Sequence, residues 1–212
     1  SFDDGKNWQS FKQNLPIVPI TDLTIKDDNL IAATQGRSLW IIDDLTPLHQ
    51  LNESTLKKEI VLYKPKNAYN LSGGNGRTSR TAGTNHSGGV SVNYYIKKVA
   101  EKDVVSISFF DSNDHLIKKY TTKPDKEKKE EKLKVADGNN IFNWNMMHSG
   151  AESVKGMILW WASLSGPMAL PGNYKVELAV NDTKQTQRFN IIRNPASEAT
   201  ERDMKTQFDF IN

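Results

Sequence analysis

Between Pro171 and Ile192 the chain reads PGNYKVELAVNDTKQTQRFNII, and apolar and polar residues alternate from Tyr174 to Val180. A period of two places one set of side chains on each face of a pleated strand, so this stretch is a half-buried strand rather than a helix. Asn181-Asp182 supplies the turn, and Gln185 to Ile192 returns as the antiparallel partner. The same grammar recurs upstream. Val90 to Ile96 alternates strongly, Asp103 to Phe110 sets Val105, Ile107 and Phe109 on one face, and Asp111 to Asp114 turns the chain into Leu116 to Tyr120. Ile60 to Tyr63 is a further strand, and Gly138 to Asn145 ends in one. Short strands separated by turn residues, with no helix between successive strands, argue for an all-β chain and against a parallel α/β enzyme fold.

The first fifty residues form a second strand group. Asp22 to Ile25, Leu30 to Thr34 and Leu39 to Ile42 are expected as an antiparallel meander, turned at Asp27-Asp28-Asn29 and at Gln35-Gly36-Arg37. Before them stands Ser1-Phe2-Asp3-Asp4-Gly5-Lys6-Asn7-Trp8, of the form Ser-x-Asp-x-Gly-x-x-Trp. Its Asp3 carboxylate and Ser1 hydroxyl are placed to accept backbone N–H groups within the turn. Gly5 takes a conformation that a Cβ opposes, and Trp8 is expected to tuck beneath and pack the turn against a sheet. A meander of this kind is the content of one propeller blade, and a lone blade cannot bury both faces. No second turn of this form follows, so residues 1–50 are expected to be the remnant of a last blade whose neighbours lie upstream of this chain.

These residues resemble a family. The Asp-box turn, Leu15-Pro16, Ala33-Thr34-Gln35-Gly36-Arg37, Trp40 and Ile42-Asp43-Asp44-Leu45-Thr46-Pro47-Leu48 look like the last blade of sortilin-type, BNR-repeat proteins, whose bacterial members are glycosyl hydrolase-like or sialidase-like. Where the family often has His, this chain has Gln35. Residues 51–195 resemble the immunoglobulin-like module, of fibronectin III or hook-capping type, that follows the propeller. Gly89-Val90 to Tyr95, Gly138-Asn139-x-Ile141-x-x-Trp144 and Pro171-Gly172-x-Tyr174-x-Val176 carry that likeness. The resemblance implies a non-catalytic accessory module of a bacterial protein, secreted, periplasmic or on the cell surface, with an export signal upstream. It also permits an active sialidase-like glycoside hydrolase or a carbohydrate-binding module.

Residues 196–212 complete the chain. Ser197 or Thr200 can cap a helix there, with Met204, Phe208 and Ile211 on one stripe. Of two linking segments, the Gly- and Ser-rich stretch from Leu71 to Gly89 is expected as a loop, without the Gly-Lys-Ser/Thr ending of a phosphate-binding loop. KPDKEKKEEKLK, from Lys123 to Lys134, reads as a solvated segment of mixed charge.

The candidate chemistry is sparse. With no cysteine in 212 residues, disulfides, thiolate catalysis and Cys-ligated zinc are excluded. His49, His86, His115 and His148 stand in no ligand-like spacing, so no metal or cofactor is expected. Asp43 and Asp44 are adjacent on a strand end and point to opposite faces, so they cannot flank one glycosidic bond and instead fit a cap for the next turn. No catalytic residue is assigned. Arg37, beside Gly36 at a bend, can hold a carboxylate bidentately, or serve as a salt bridge or cap at the blade's end. Gly156-Met157-Ile158-Leu159-Trp160-Trp161 is the most apolar run. Exposed, Trp160 or Trp161 can stack on a sugar ring; buried, the run covers a sheet. The cost of exposing that area favours burial.

The expected partners are the upstream blades and a glycan or protein ligand. An exposed blade edge also favours a homodimer. A net charge of +3 with interleaved signs gives no basic face for nucleic acid, and no apolar run reaches the length of a membrane-spanning helix.

Overall fold

A computed structural model of the chain describes residues 1, 3–71, 88–125, 130–161 and 163–211. The fold is mostly β, with a curled sheet of half-barrel form and a short C-terminal helix. It divides into two compact units, Ser1–His49 and Gln50–Asn212. Most of the expected Leu71–Gly89 loop, with His86, lies outside the described residues, as do residues 126–129 of the charged segment.

In the first unit, β1 (Ile20–Lys26), β2 (Asn29–Thr34) and β3 (Leu39–Ile42) form an antiparallel sheet in that order. Lys26 pairs with Asn29, which leaves Asp27 and Asp28 as a two-residue turn with φ of 51° and 61°. Two successive left-handed residues match the strand twist of a tight hairpin, and Asp tolerates that region because its side chain bonds locally. The next bend holds Gly36 at φ 81° and Ser38 at φ 64°, and the Thr34 hydroxyl donates to the Ser38 carbonyl at 2.6 Å. After β3 the Asp44 carboxylate accepts the Thr46 N–H at 2.9 Å and opens a single helical turn, α1 (Thr46–His49). Pro47 sits in its first turn, where the missing N–H costs nothing.

The second unit opens with α2 (Glu53–Leu56), capped by the Asn52 side chain. There follow β4 (Ile60–Leu62), β5 (Ala68–Tyr69), β6 (Val90–Ile96), β7 (Val105–Phe110), β8 (Leu116–Thr121), β9 (Glu131–Lys132), β10 (Gly138–Trp144), β11 (Gly172–Val180), β12 (Thr183–Ile192) and α3 (Glu201–Ile211). The strands make two sheets, β10-β6-β4 and β5-β12-β11-β7-β8-β9. One core draws on both. Val90, Val92, Tyr94 and Ile96 come from β6, Val105, Ile107 and Phe109 from β7, and Val176, Leu178 and Val180 from β11. These are the alternate positions of each strand, so the period of two places every one of them on the inner face.

Aromatic rings fill the gap between the sheets. Phe109 of one stacks on Trp144 of the other with centroids 4.3 Å apart, and Phe189 meets both edge-on. Such contacts add about 0.5–1.5 kcal/mol each beyond the area they bury. Tyr174 stacks beside Phe189, and its hydroxyl donates to the Leu170 carbonyl at 2.6 Å. Burial pushes that phenol up to about 12.

One side between the sheets is closed by side chains in place of a strand. β4 pairs with β6 along one edge. Along the other, the Gln185 carboxamide accepts the Leu62 N–H and donates to the Ile60 carbonyl, both at 2.8 Å, and Gln187 donates to the Leu62 carbonyl at 3.1 Å. A primary amide offers both a donor and an acceptor, so Gln185 does for β4 what a neighbouring peptide group would do. Helix α3 begins at Glu201, with Thr200 as the cap: its hydroxyl accepts the Asp203 N–H at 3.2 Å, and the Asp203 carboxylate accepts the Thr200 N–H at 2.9 Å. Met204 and Phe208 are half-buried, whereas Ile211, expected on the same stripe, stays exposed.

The bond set of Gln185 gives the first prediction. Gln185→Leu leaves the Leu62 N–H and the Ile60 carbonyl without these partners, and is expected to cost about 1–3 kcal/mol. Urea denaturation should show a lower midpoint at an unchanged slope.

Candidate functional site

The Asp-box turn forms as its residue types require. Asp3 accepts the Asn7 backbone N–H at 2.9 Å, the Asn7 side-chain amide at 2.6 Å and the Ser1 hydroxyl at 2.9 Å. Ser1 in turn accepts the Gly5 N–H at 2.8 Å, and Gly5 lies at φ 85°. Trp8 folds back over the glycine and donates its indole N–H to the Gly5 carbonyl at 3.0 Å. Its ring remains 79% exposed. This corrects the expectation that Trp8 packs the turn onto a sheet: the hydrogen bond holds the ring to its own turn. The Asp3 carboxyl is held down to about 2, first by the Asn7 backbone N–H and then by the Asn7 and Ser1 side chains.

The three-stranded sheet is apolar on one face and mixed on the other. Across it, Leu23, Ala32 and Trp40 are in register on one face, joined by Ile25, Leu30 and Ile42. The other face carries Ile31 beside Ile41 and Ala33 beside Leu39, continued across β1 by the polar Thr24 and Asp22. Among the described residues of this unit only Ala32 and Leu45 are buried hydrophobics. Ile17, Leu23, Ile25, Leu39 and Ile41 are exposed. The chain from Phe11 to Val18 forms one wall of a groove of about 510 Å³, whose floor includes Leu23, Leu30, Ala32 and Trp40. In the sequence, the uninterrupted apolar run Leu39 to Ile42 was the signal that β3 presents apolar residues to both faces.

Arg37 is exposed at the bend between β2 and β3. Its backbone carbonyl does the capping, accepting the Trp40 indole N–H at 2.9 Å. Among the described residues its guanidinium makes no ion pair or hydrogen bond, so of the salt bridge and the backbone cap weighed from sequence only the cap is present. The cap comes from the main chain, which any residue at this bend supplies.

The Trp160-Trp161 run also departs from expectation. Met147 pairs with Met168, His148 N–H bonds the Pro167 carbonyl, and Ala151 N–H bonds the Leu164 carbonyl, the last two at 2.9 Å. These bonds make a narrow stem. A Cβ on Gly150 would lie 2.0 Å from the Leu164 carbonyl oxygen, so the two chains run closer than side chains permit. The stem leaves residues 151–161 exposed throughout, with Trp160 at 87% and Trp161 at 96%. Burial was expected because exposure costs area. The core was already filled by Trp144, Met146 and the rings around them, and the stem carries the later tryptophans elsewhere.

The charged groups do not converge. Among the described residues no three His, Asp or Glu side chains are grouped as metal ligands. Asp43 and Asp44 both follow the end of β3, and Asp44 caps the α1 turn as expected. His115 pairs with Asp111 at 3.1 Å, while the His148 ring lies against Phe208 of α3. That last contact had no sequence signal beyond the stripe containing Phe208. Among the described residues no helix is long and apolar enough to cross a membrane. No family model matches the chain and no curated protein matches it, so its surfaces are read from their own chemistry.

Two outcomes follow. Because Asp3 is depressed, its contribution to the turn is full above the ordinary value of 3.8 and is lost as pH falls through about 2. The Asn7 amide resonance should therefore move with a midpoint near 2 rather than near 3.8. Trp160→Ala with Trp161→Ala should change unfolding free energy by less than about 0.5 kcal/mol, since neither ring is packed. Trp144→Ala in the same denaturation assay should cost about 3–5 kcal/mol.

Proposed function

We propose that this chain is a non-catalytic accessory and interaction module. Residues 1–49 form the last blade of a sortilin-type, Asp-box propeller, and the following sheets form an immunoglobulin-like sandwich that supports it. The reading rests on one observation above all: the β1-β2-β3 sheet leaves large apolar residues exposed on each face, Leu23 and Ile25 on one and Leu39 and Ile41 on the other. A sheet at a protein surface alternates apolar and polar faces, whereas a blade packs against a neighbour on each side. The Ser1–Trp8 bonding pattern supports the Asp-box part. The single core between two sheets, the buried Trp144 and the Tyr174 hydroxyl on the backbone four residues upstream support the sandwich.

In this account Arg37 and the exposed sheet faces are contact surfaces for neighbouring blades, supplied elsewhere in the polypeptide or by a partner. A bacterial secreted, periplasmic or cell-surface protein of glycosyl hydrolase-like kind is the setting that the resemblance gives. Self-association through the open sheet is the outcome for this chain alone.

A second reading has its own support in the exposed Trp160 and Trp161, whose flat faces suit a sugar ring. Their neighbours Gly156 to Leu159 offer no polar side chain to bond hydroxyl groups, which places this reading second.

Analytical ultracentrifugation tests the proposal. The wild type should associate with rising concentration, and Leu23→Asp on one face or Ile41→Asp on the other should weaken association without lowering the stability of the second unit. A chain that stays monomeric, with β1–β3 amides as protected as those of β6, would mean a self-sufficient sheet and end the blade reading. Saturable binding on a glycan panel, lost in Trp160→Ala or Trp161→Ala, would promote the second reading.

A further inference from the structure

Helix α3 is attached by few side chains. Met204 and Phe208 are its half-buried residues, and the rest of its described surface is exposed. Met204 forms part of the wall of a groove of about 400 Å³, with Asn70, Leu71, Met168, Asn194 and Ser197. Phe208 meets the His148 imidazole edge-to-face, with centroids 4.9 Å apart and planes at 79°. His148 stands at the root of the stem, where its backbone N–H bonds the Pro167 carbonyl. Its ring is half-buried, and among the described residues neither ring nitrogen has a hydrogen-bond partner.

We propose that His148 is a proton-operated latch for α3: the neutral imidazole seats Phe208, and its protonation loosens the helix and opens the groove beside Met204. Charging a half-buried ring is unfavourable, because the surroundings that cover it remove part of the water that would solvate the cation and, among the described residues, no carboxylate bonds it directly. The charged groups around the contact do not cancel that cost. Asp111, on the turn between β7 and β8, attracts the imidazolium, but its oxygens already accept from the Asn113 N–H, the His115 N–H and the His115 ring. On α3, Lys205 and Asp209 flank Phe208 and pair with each other at 3.0 Å. The net result is that burial holds His148 below its ordinary value of 6.5, with Asp111 pulling weakly the other way.

The sign follows from linkage. The docked state binds fewer protons than the released state, so docking strengthens as pH rises. It is complete above 6.5 and weakens as pH falls through that value toward the lowered one.

The test is backbone NMR on the whole chain, following heteronuclear NOEs of α3 from about pH 7.5 to about pH 5, the range in which histidine titrates. The wild type should lose α3 order toward the acid end. His148→Phe, which keeps an aromatic contact and cannot charge, should keep α3 ordered throughout. Phe208→Ala should free the helix and move the His148 titration up toward 6.5. An α3 that is unchanged across the range in the wild type, or that loosens equally in His148→Phe, would overturn the latch. So would a His148 titration identical in wild type and Phe208→Ala, a readout that needs no histidine variant to fold.

Discussion

The stack of Phe109 on Trp144 joins two sheets that share no strand. Its rings sit 4.3 Å apart where the inner faces of β7 and β10 approach, and Phe142, Tyr120, Tyr174 and Phe189 pack around them. Each flanking strand contributes by its alternate residues, so the register of every pairing is tied to this center. A slip of one residue would turn Val105, Ile107 and Phe109 outward together. The Gln185 and Gln187 amides then finish the side that no strand covers.

The first unit has nothing comparable. Its hairpin and bends are well made, with Asp27-Asp28, Gly36 and the Asp44 cap each in the conformation its residue type favours. Yet three short strands with one buried alanine enclose no interior. Local bonds shape this sheet and hydrogen bonds hold its edges, while the hydrophobic contribution that stabilises the second unit is left on the outside. That difference is the physical basis for reading the sheet as part of something larger. The same logic separates the tryptophans: Trp144 belongs to a strand of the core, whereas Trp8 and Trp40 close their own turns through indole N–H bonds to carbonyls three residues back.

Much of the architecture was legible beforehand because it is local. The alternation from Val90 to Ile96 and from Tyr174 to Val180 gave both strands, and the turn residues at Asp111–Asp114 and Asn181-Asp182 gave their hairpins. The Asp-box bonding could be read from residue types at fixed spacing. The fate of Trp160 and Trp161 could not, since exposure depends on which rings fill the core first and on how closely the two chains of a stem approach. Arg37 was foreseen at a bend, but not that it would make no ion pair among the described residues, which depends on residues distant in the chain. The His148–Phe208 contact joins positions sixty residues apart and left no trace in either segment.

By itself, then, the sequence determined strands, turns, caps and the inward face of each strand, because these follow from backbone sterics, side-chain period and hydrogen bonds over a few residues. Only the tertiary structure decided that two amides would stand in for a strand beside β4, that the second tryptophan-rich segment would follow a glycine-pinned stem, and that His148 would meet Phe208 of the last helix. Those outcomes depend on distances between segments far apart in the chain, which no local preference encodes.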